Sequence, residues 1–218
     1  MRVALAAAGA LVALLILAQL VLPRIAASRI SSRVGRYGHV EHVSVSAWPA
    51  IELLWGHAGK VTVRAGALRI EPSQAASLLW EGRGVSTLEV SARSVRVGPL
   101  ALSAATLSKH GSQLEGRART TQAAADAALG AGERVKLLGS EAGRVRVQVA
   151  GSLFGVGASV TAVAEADEGA LVAHPEGLFL EGFRLRLFAD RHVHVEGVAA
   201  AAAGPSAYRL RMTALLGG

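Results

Sequence analysis

From Val40 to the end of the chain, apolar and polar residues alternate with a period of two, the spacing of a strand that buries one face and wets the other. "VSVSA" over 43–47 sets Val43, Val45 and Ala47 against two serines, and "KVTVRA" over 60–65 sets Val61, Val63 and Ala65 against Lys60, Thr62 and Arg64. The same plan returns at 88–90, 95–97, 144–149, 184–187, 192–196 and 209–213. Turn-forming residues separate these runs: Gly82 and Gly84, Gly98-Pro99, Gly111, Gly139, Asp167-Glu168-Gly169, Pro175 to Gly177, and Gly204-Pro205. "ADEGA" over 166–170 joins two apolar runs and predicts a hairpin. The pattern predicts a mainly β domain of antiparallel strands with few helices, folded so that its apolar face is covered.

Two segments depart from the alternation. "TTQAAADAALGAG" over 120–132 opens on threonines that can cap a helix, continues in alanine and closes on Gly130 and Gly132, which predicts a short helix over 121–129. "PSQAASLLW" over 72–80 predicts a further turn or two of helix.

The N-terminus follows another pattern. From Val3 to Pro23 there is no charge and one polar residue, Gln19. About 20 helical residues at ~1.5 Å each cross a ~30 Å hydrocarbon layer. Residues 1–23 therefore read as a transmembrane anchor or uncleaved signal, with a cleavage site after Ala27 as the alternative. Beyond Pro23, "RIAASRISSRVGRYG" brings Ile25, Ile30 and Val34 near one face, with Arg29, Arg33 and Arg36 following at helical spacing. That predicts a basic juxtamembrane helix over 24–38, ending near Gly35 or Gly38, and leaves 39–218 as the folded domain. Arg24, Arg29, Arg33 and Arg36 outweigh Arg2, so the positive-inside rule taken alone would leave the domain in the cytoplasm.

Composition narrows the chemistry. The chain has 218 residues, 51% of them apolar but only 4% aromatic, so its core is built from Val, Leu and Ala. Its net charge of +7 is carried mainly by arginine, scattered through the strands with no aromatic-basic motif beside it, and nucleic acid is not the expected partner. A wet arginine-bearing sheet face and a basic face toward anionic headgroups both fit. The absence of cysteine removes disulfides, thiol catalysis and cysteine metal sites.

No nucleophile elbow, phosphate-binding glycine loop or His-Glu-x-x-His motif is present. His192 and His194 fall two apart on a predicted strand, where they and Glu196 would share a side, but a polar strand face explains them without a metal. His39, Glu41 and His42 form a weaker version of that pattern, and "HPEG" over 174–177 reads as a turn. Acids fall mostly at turns or on wet strand faces. The reading is not an enzyme, with no cofactor and no metal; a hydrolase or transferase with spatially assembled acids or histidines is the minority alternative.

The order of features resembles a known family. An apolar helix runs into "RIAASRISSRV", then "VSVSAWPAIELLWGHAGKVTV", a long run of strands, an alanine-rich helix and a final "YRLRMTAL" strand. This is similar to the LmeA family of phospholipid-binding proteins, exported cell-envelope proteins of high-GC Gram-positive bacteria. Its second block typically carries glycine-aromatic-proline, then aliphatics, a glycine and an alternating strand. Trp48-Pro49, Leu53, Leu54, Gly56, Val61 and Val63 match it, while Ala47 stands where the family has glycine.

The resemblance implies one curved antiparallel sheet packed around helix, like a tubular lipid-binding domain, behind the N-terminal membrane helix. It implies phospholipid and the membrane surface as partners, and a single-pass protein of the cytoplasmic membrane whose domain lies on the extracytoplasmic side, acting in envelope lipid or lipoglycan assembly or transport. "AWPAIELLW" then reads as an apolar loop at the mouth of a lipid groove or at the membrane interface. Trp48, Pro49, Ile51, Leu53, Leu54 and Trp55 would make the contacts and Arg29, Arg33 and Arg36 would meet headgroups. The competing reading caps the sheet's core with Trp48 and Trp55. A non-catalytic envelope adaptor whose sheet binds another protein is the alternative function.

Overall fold

A computed structural model describes residues 21–47, 57–130, 132–153, 156–176 and 183–217. The apolar run to residue 20 and the segment 48–56, which carries the predicted contacts Trp48, Pro49, Ile51, Leu53, Leu54 and Trp55, lie outside them. Among the described residues no helix is long and apolar enough to cross a membrane.

A first helix, α1, covers 21–34 and passes through a 3₁₀ turn, Gly35–Tyr37, into strand β1, Gly38–Ser46. β2 (Ala58–Ile70) returns antiparallel to β1. Helix α2 (Pro72–Glu81) follows, started by Pro72 in its first turn and by a reciprocal cap between Glu71 and Gln74. A 3₁₀ turn, Gly82–Gly84, leads to β3, Val85–Val97. The hairpin β4 (Leu100–His110) and β5 (Gln113–Thr121) comes next. Helix α3, Gln122–Leu129, is capped by the Thr121 side chain, which accepts from the Ala124 N–H at 3.2 Å. The remaining strands are β6 (Arg134–Glu141), β7 (Arg144–Leu153), β8 (Val156–Asp167), β9 (Ala170–Glu176), β10 (Leu185–Phe188), β11 (Val193–Ala202) and β12 (Ala207–Leu216).

The mainly β expectation holds, with 64% of the described residues in strands. Two features of the expected architecture are corrected. The strands form two open sheets rather than one: β1-β2-β3-β4-β5-β12-β11, and β10-β9-β8-β7-β6. Nor is the pairing wholly antiparallel. β2 and β3 run parallel, because α2 carries the chain back to the starting end of the sheet before β3 begins. Smaller expectations shift as well. The runs at 88–90 and 95–97 belong to one strand, β3. Gly139 lies inside β6 at a register shift. His174 and Pro175 are in β9 rather than a turn: β10 pairs with β9 only from Leu171 to Ala173, so Pro175 meets β8 alone and its missing N–H costs no ladder bond.

The seven-stranded sheet bends sharply along one line. Ala65, Ala92 and Ala105 are paired side by side across β2, β3 and β4. At that line the alternation slips by one in each strand. Ala65 and Gly66 are both buried, Arg93 and Ser94 are both exposed, and so are Ser103 and Ala104. Ala104 has a φ of 47°, and the β4–β5 register shifts there. The bulge at Ala104 increases twist and bends its strand, while β2–β3 and β3–β4 keep an unbroken register past this line and the apolar side stays inward.

That inner side carries the core. Val61 and Val63, with Val43, Val45, Leu88 and Val90, pack against Ile30 and Val34 of α1. Toward the other edge, Ala76, Leu79 and Trp80 of α2 pack with Leu114, Val193, Ala214, Leu216 and Phe188. Lys109 is buried on the same side, opposite Leu88 and Leu114. Its ammonium donates to the carbonyls of Arg83, at 3.2 Å, and Val85, so it closes the end of the 3₁₀ turn. Burial lowers its pKa from the ordinary lysine value.

The second sheet stands on the free edge of β11. The Val195 N–H donates to the Gly169 carbonyl at 2.8 Å, Val198 to Gly143 at 3.3 Å, and Ala200 to the Ser140 hydroxyl at 3.1 Å. Gly169 and Gly143 each end a two-residue hairpin turn, Glu168-Gly169 and Ala142-Gly143, with both residues at positive φ. The predicted 166–170 hairpin is thus both a turn and a joint between sheets.

Candidate functional site

The five-stranded sheet has two unlike faces. β7 directs Val145, Val147 and Val149 to one side and Arg144, Arg146 and Gln148 to the other. Register carries the apolar side across the sheet, while the opposite side also buries Val163 and Val172. Val135, Val149 and Val160 lie in one row, Leu137, Val147, Ala162 and Pro175 in the next, and Val145, Ala164, Ala173 and Leu185 in a third. The opposite face pairs Arg144 with Glu165 at 2.6 Å and Arg146 with Glu176 at 2.5 Å. These pairs are exposed and contribute about 0–1 kcal/mol each.

None of the side chains in the three apolar rows is fully buried. Val160 is 38% exposed and Leu185 55%. The middle of the face is shallow, because β8 and β9 contribute Ala162, Ala164 and Ala173 where β7 contributes valines and β10 contributes Leu185. From β7 to β10 is three strand spacings, about 14 Å. The result is an apolar trough running along the strands, walled by branched side chains and floored by methyl groups. At its edge, Phe183, Leu185 and Leu187 are among the most exposed large apolar residues described. The chemistry available is apolar contact without hydrogen bonding, which suits a hydrocarbon chain.

Helix α3 lies between this sheet and the larger one, touching β4, β5 and β6. It is fixed by a small polar network. Asp126 accepts from the Val135 N–H and from the Gln122 side chain, each at 2.7 Å, and Gln122 in turn accepts from the Tyr208 hydroxyl. Beyond the bend, the inner side of the larger sheet presents Leu68, Ile70, Val95, Val97, Leu100 and Leu102, all half-buried. Two incompletely covered apolar surfaces therefore flank α3.

A cleft of about 690 Å³ lies on the polar side of β10, where the β8–β9 turn meets the start of β11. Arg184, Arg186 and Arg191 line it against Asp167, Glu168 and Asp190, with His194 beside them. Arg184 is ion-paired with Asp167, and Asp190 accepts from the His192 N–H at 2.8 Å. Three cations face three acids, so this cleft does not concentrate charge of one sign.

Arg29, Arg33 and Arg36 are exposed, but α1 does not lie free. Ile30 and Val34 pack on the larger sheet, and Arg33 is ion-paired with Glu81 at the end of α2. Arg33 thus already has an anionic partner, whereas the structure brings none to Arg29 or Arg36 among the described residues. Arg36 stands in the turn just before Gly38, at the end of β1 away from Ser46.

The two histidines of 192–196 separate. His192 precedes β11 and stacks on Trp80, with 3.9 Å between ring centroids and 8° between planes, while His194 sits against Gly169. Among the described residues no three His, Asp or Glu side chains converge as metal ligands. The trough residues were legible as alternation in 144–149, but not as a site. The signal that could have marked them is the alternating alanine of 162, 164 and 166, a strand face too small to fill a core.

A family model described as LmeA-like phospholipid-binding matches residues 12–207 of the chain. No curated protein and no solved structure matches it.

Proposed function

The chain belongs to the LmeA-like phospholipid-binding family, and on that premise we propose that it holds phospholipid with the acyl chains laid in the trough of the five-stranded sheet. The observation that supports this is the combination of an apolar face complete across five strands with the incomplete burial of every described residue on it. Sheets in water cover such a face with a second layer, and lipid can serve as that layer. A chain of about 16 carbons contributes on the order of 12 kcal/mol gross at ~0.8 per buried CH₂, reduced by the losses of freedom on association.

The proposal extends to place. The uncharged run from Val3 to Pro23 would anchor the protein in the cytoplasmic membrane with the domain on the extracytoplasmic side, where it would act in envelope lipid assembly or transport without catalysis. A reporter that is active only after export, fused behind Gly218, would light up under this reading. Activity of a cytoplasm-only reporter instead would vindicate the charge rule and overturn it. The 48–56 segment and Arg29 and Arg36 belong to the same proposal as contacts to the membrane surface, the first apolar and the arginines toward headgroups.

Mass spectrometry of lipid extracted from the purified full chain tests the binding reading. Diacyl phospholipid should accompany the wild type and be lost from the Ala162→Glu/Ala173→Glu variant, with circular dichroism unchanged. Equal retention by both would remove the trough from the site. A second reading, a scaffold binding protein rather than lipid, is favoured by the exposed apolar side of β10, which offers an edge for strand addition. A lipid-free wild-type protein would support that reading.

A further inference from the structure

The outer face of the seven-stranded sheet, opposite the core, carries arginines in register. Arg119 of β5 is directly paired with Arg209 of β12, and Arg117 with Arg211. On the same side of the bend as Arg119, Arg69 of β2 is paired with Arg96 of β3. All six are exposed. Glu115 serves two of them, lying 2.6 Å from both Arg117 and Arg211, and these neighbours hold its carboxyl below the ordinary value, through the Arg117 hydrogen bond first. Among the described residues no carboxylate pairs with Arg119, Arg209, Arg69 or Arg96.

Like charges directly opposite one another destabilise a sheet. Solubility does not call for that arrangement, since interspersed charges of both signs serve it without repulsion. The flanking residues are small. Ser103 and Ala201 border the Arg119–Arg209 pair, and Thr106 and Ala199 border Arg117–Arg211. Nothing tall on either side keeps a flat partner away from the guanidiniums.

We infer that this face is a docking surface for an anionic phospholipid bilayer. Guanidinium groups bind phosphate through paired N–H donors, and a plane of headgroups offers phosphates to a plane of arginines. The surface lies across the sheet from α1, so it is separate from Arg29 and Arg36 and from the trough. The inference rests on the reading that the protein works with phospholipid, but it concerns how the domain meets a membrane rather than how it holds one lipid.

Flotation of the full chain with vesicles tests it, using phosphatidylcholine alone and phosphatidylcholine mixed with phosphatidylglycerol. The neutral vesicles report apolar insertion, and the ratio of the two reports charge. Each arginine near an anionic surface is worth about fivefold, so Arg119→Ser/Arg209→Ser should reduce the anionic preference by on the order of tenfold or more. High salt should remove the same preference from the wild type. Arg29→Ser/Arg36→Ser should leave most of it intact. Lipid co-purifying with Arg119→Ser/Arg209→Ser should match the wild type, which separates this proposal from the trough. An unchanged anionic preference in that variant overturns the inference, as does loss of the preference only when Arg29 and Arg36 are replaced. Retention of DNA by these arginines without any preference between the vesicles also overturns it.

Discussion

Trp80 of α2 and His192, at the entry to β11, lie ring on ring with 3.9 Å between centroids. The Arg83 guanidinium also approaches the Trp80 ring, 4.7 Å from its centroid. The contact ties the helix of the parallel crossover to the last-placed edge of the sheet, across most of its width. Trp80→Ala should cost about 3 kcal/mol in urea unfolding, near the low end for a large aromatic because the ring is only partly buried. His192→Ala should cost about 1 kcal/mol. The double variant should show a coupling of roughly 0.5–1.5 kcal/mol, and strict additivity would mean that the stack contributes nothing of its own.

Gly169 should tolerate no side chain. Its φ is 78°, and a Cβ there would lie 2.1 Å from the His194 Nδ1. Gly169→Ala therefore combines backbone strain with a collision, and thermal unfolding should show a loss of more than about 2 kcal/mol. In a His194→Ala background the collision disappears and only the strain, about 1–2 kcal/mol, should remain. Equal losses in both backgrounds would contradict the close approach of hairpin turn and β11.

Lys109 gives the protein a defined response to alkali. Its pKa in the folded state is lowered by burial, so between that value and the unfolded value of about 10.4 the unfolded chain binds more protons. Stability from this group therefore rises as pH climbs through that window. Lys109→Met should lose the rise. Denaturant midpoints measured from neutral to alkaline pH should diverge, with the wild type gaining on the variant. Parallel curves would show that the ammonium is not desolvated.

Trp48 and Trp55 are expected to work at the membrane. Replacing both with serine should lower binding to neutral and anionic vesicles alike and leave the melting temperature nearly unchanged. A large fall in melting temperature would make them core residues, since truncating a buried aromatic typically costs ~3–5 kcal/mol.

Local chemistry was readable in advance where the relevant forces are local. The Thr121 cap, the Pro72 start of α2, the 166–170 hairpin and the strand periods all follow from residues within a few positions of one another. β4 and β5 were harder to see. Ser, Ala and Thr dominate 101–108, and the bulge at Ala104 breaks the period that would have revealed the strand. The parallel pairing of β2 with β3, the division into two sheets and the arginine pairs are properties of register between distant segments, such as Arg119 with Arg209, which no window of sequence contains. The trough was half-legible. Val145, Val147 and Val149 announced an apolar face, but whether that face is covered depends on a layer elsewhere in the chain.

The strand order β5-β12-β11 has a consequence for biogenesis. Synthesis delivers β1 to β5 first, and one edge of β5 then lacks its native neighbour until residues Ala207–Leu216 are made. The whole five-stranded sheet is translated in the interval, and its native support, the edge of β11, also arrives late. The chain therefore completes neither sheet's native surroundings during elongation. Its fold closes only once β12 has been made, and a nascent chain of this kind exposes a strand edge that invites mispairing. Under the export proposed above, the twelve described strands would become available together, and β12 would be placed between two that are already waiting.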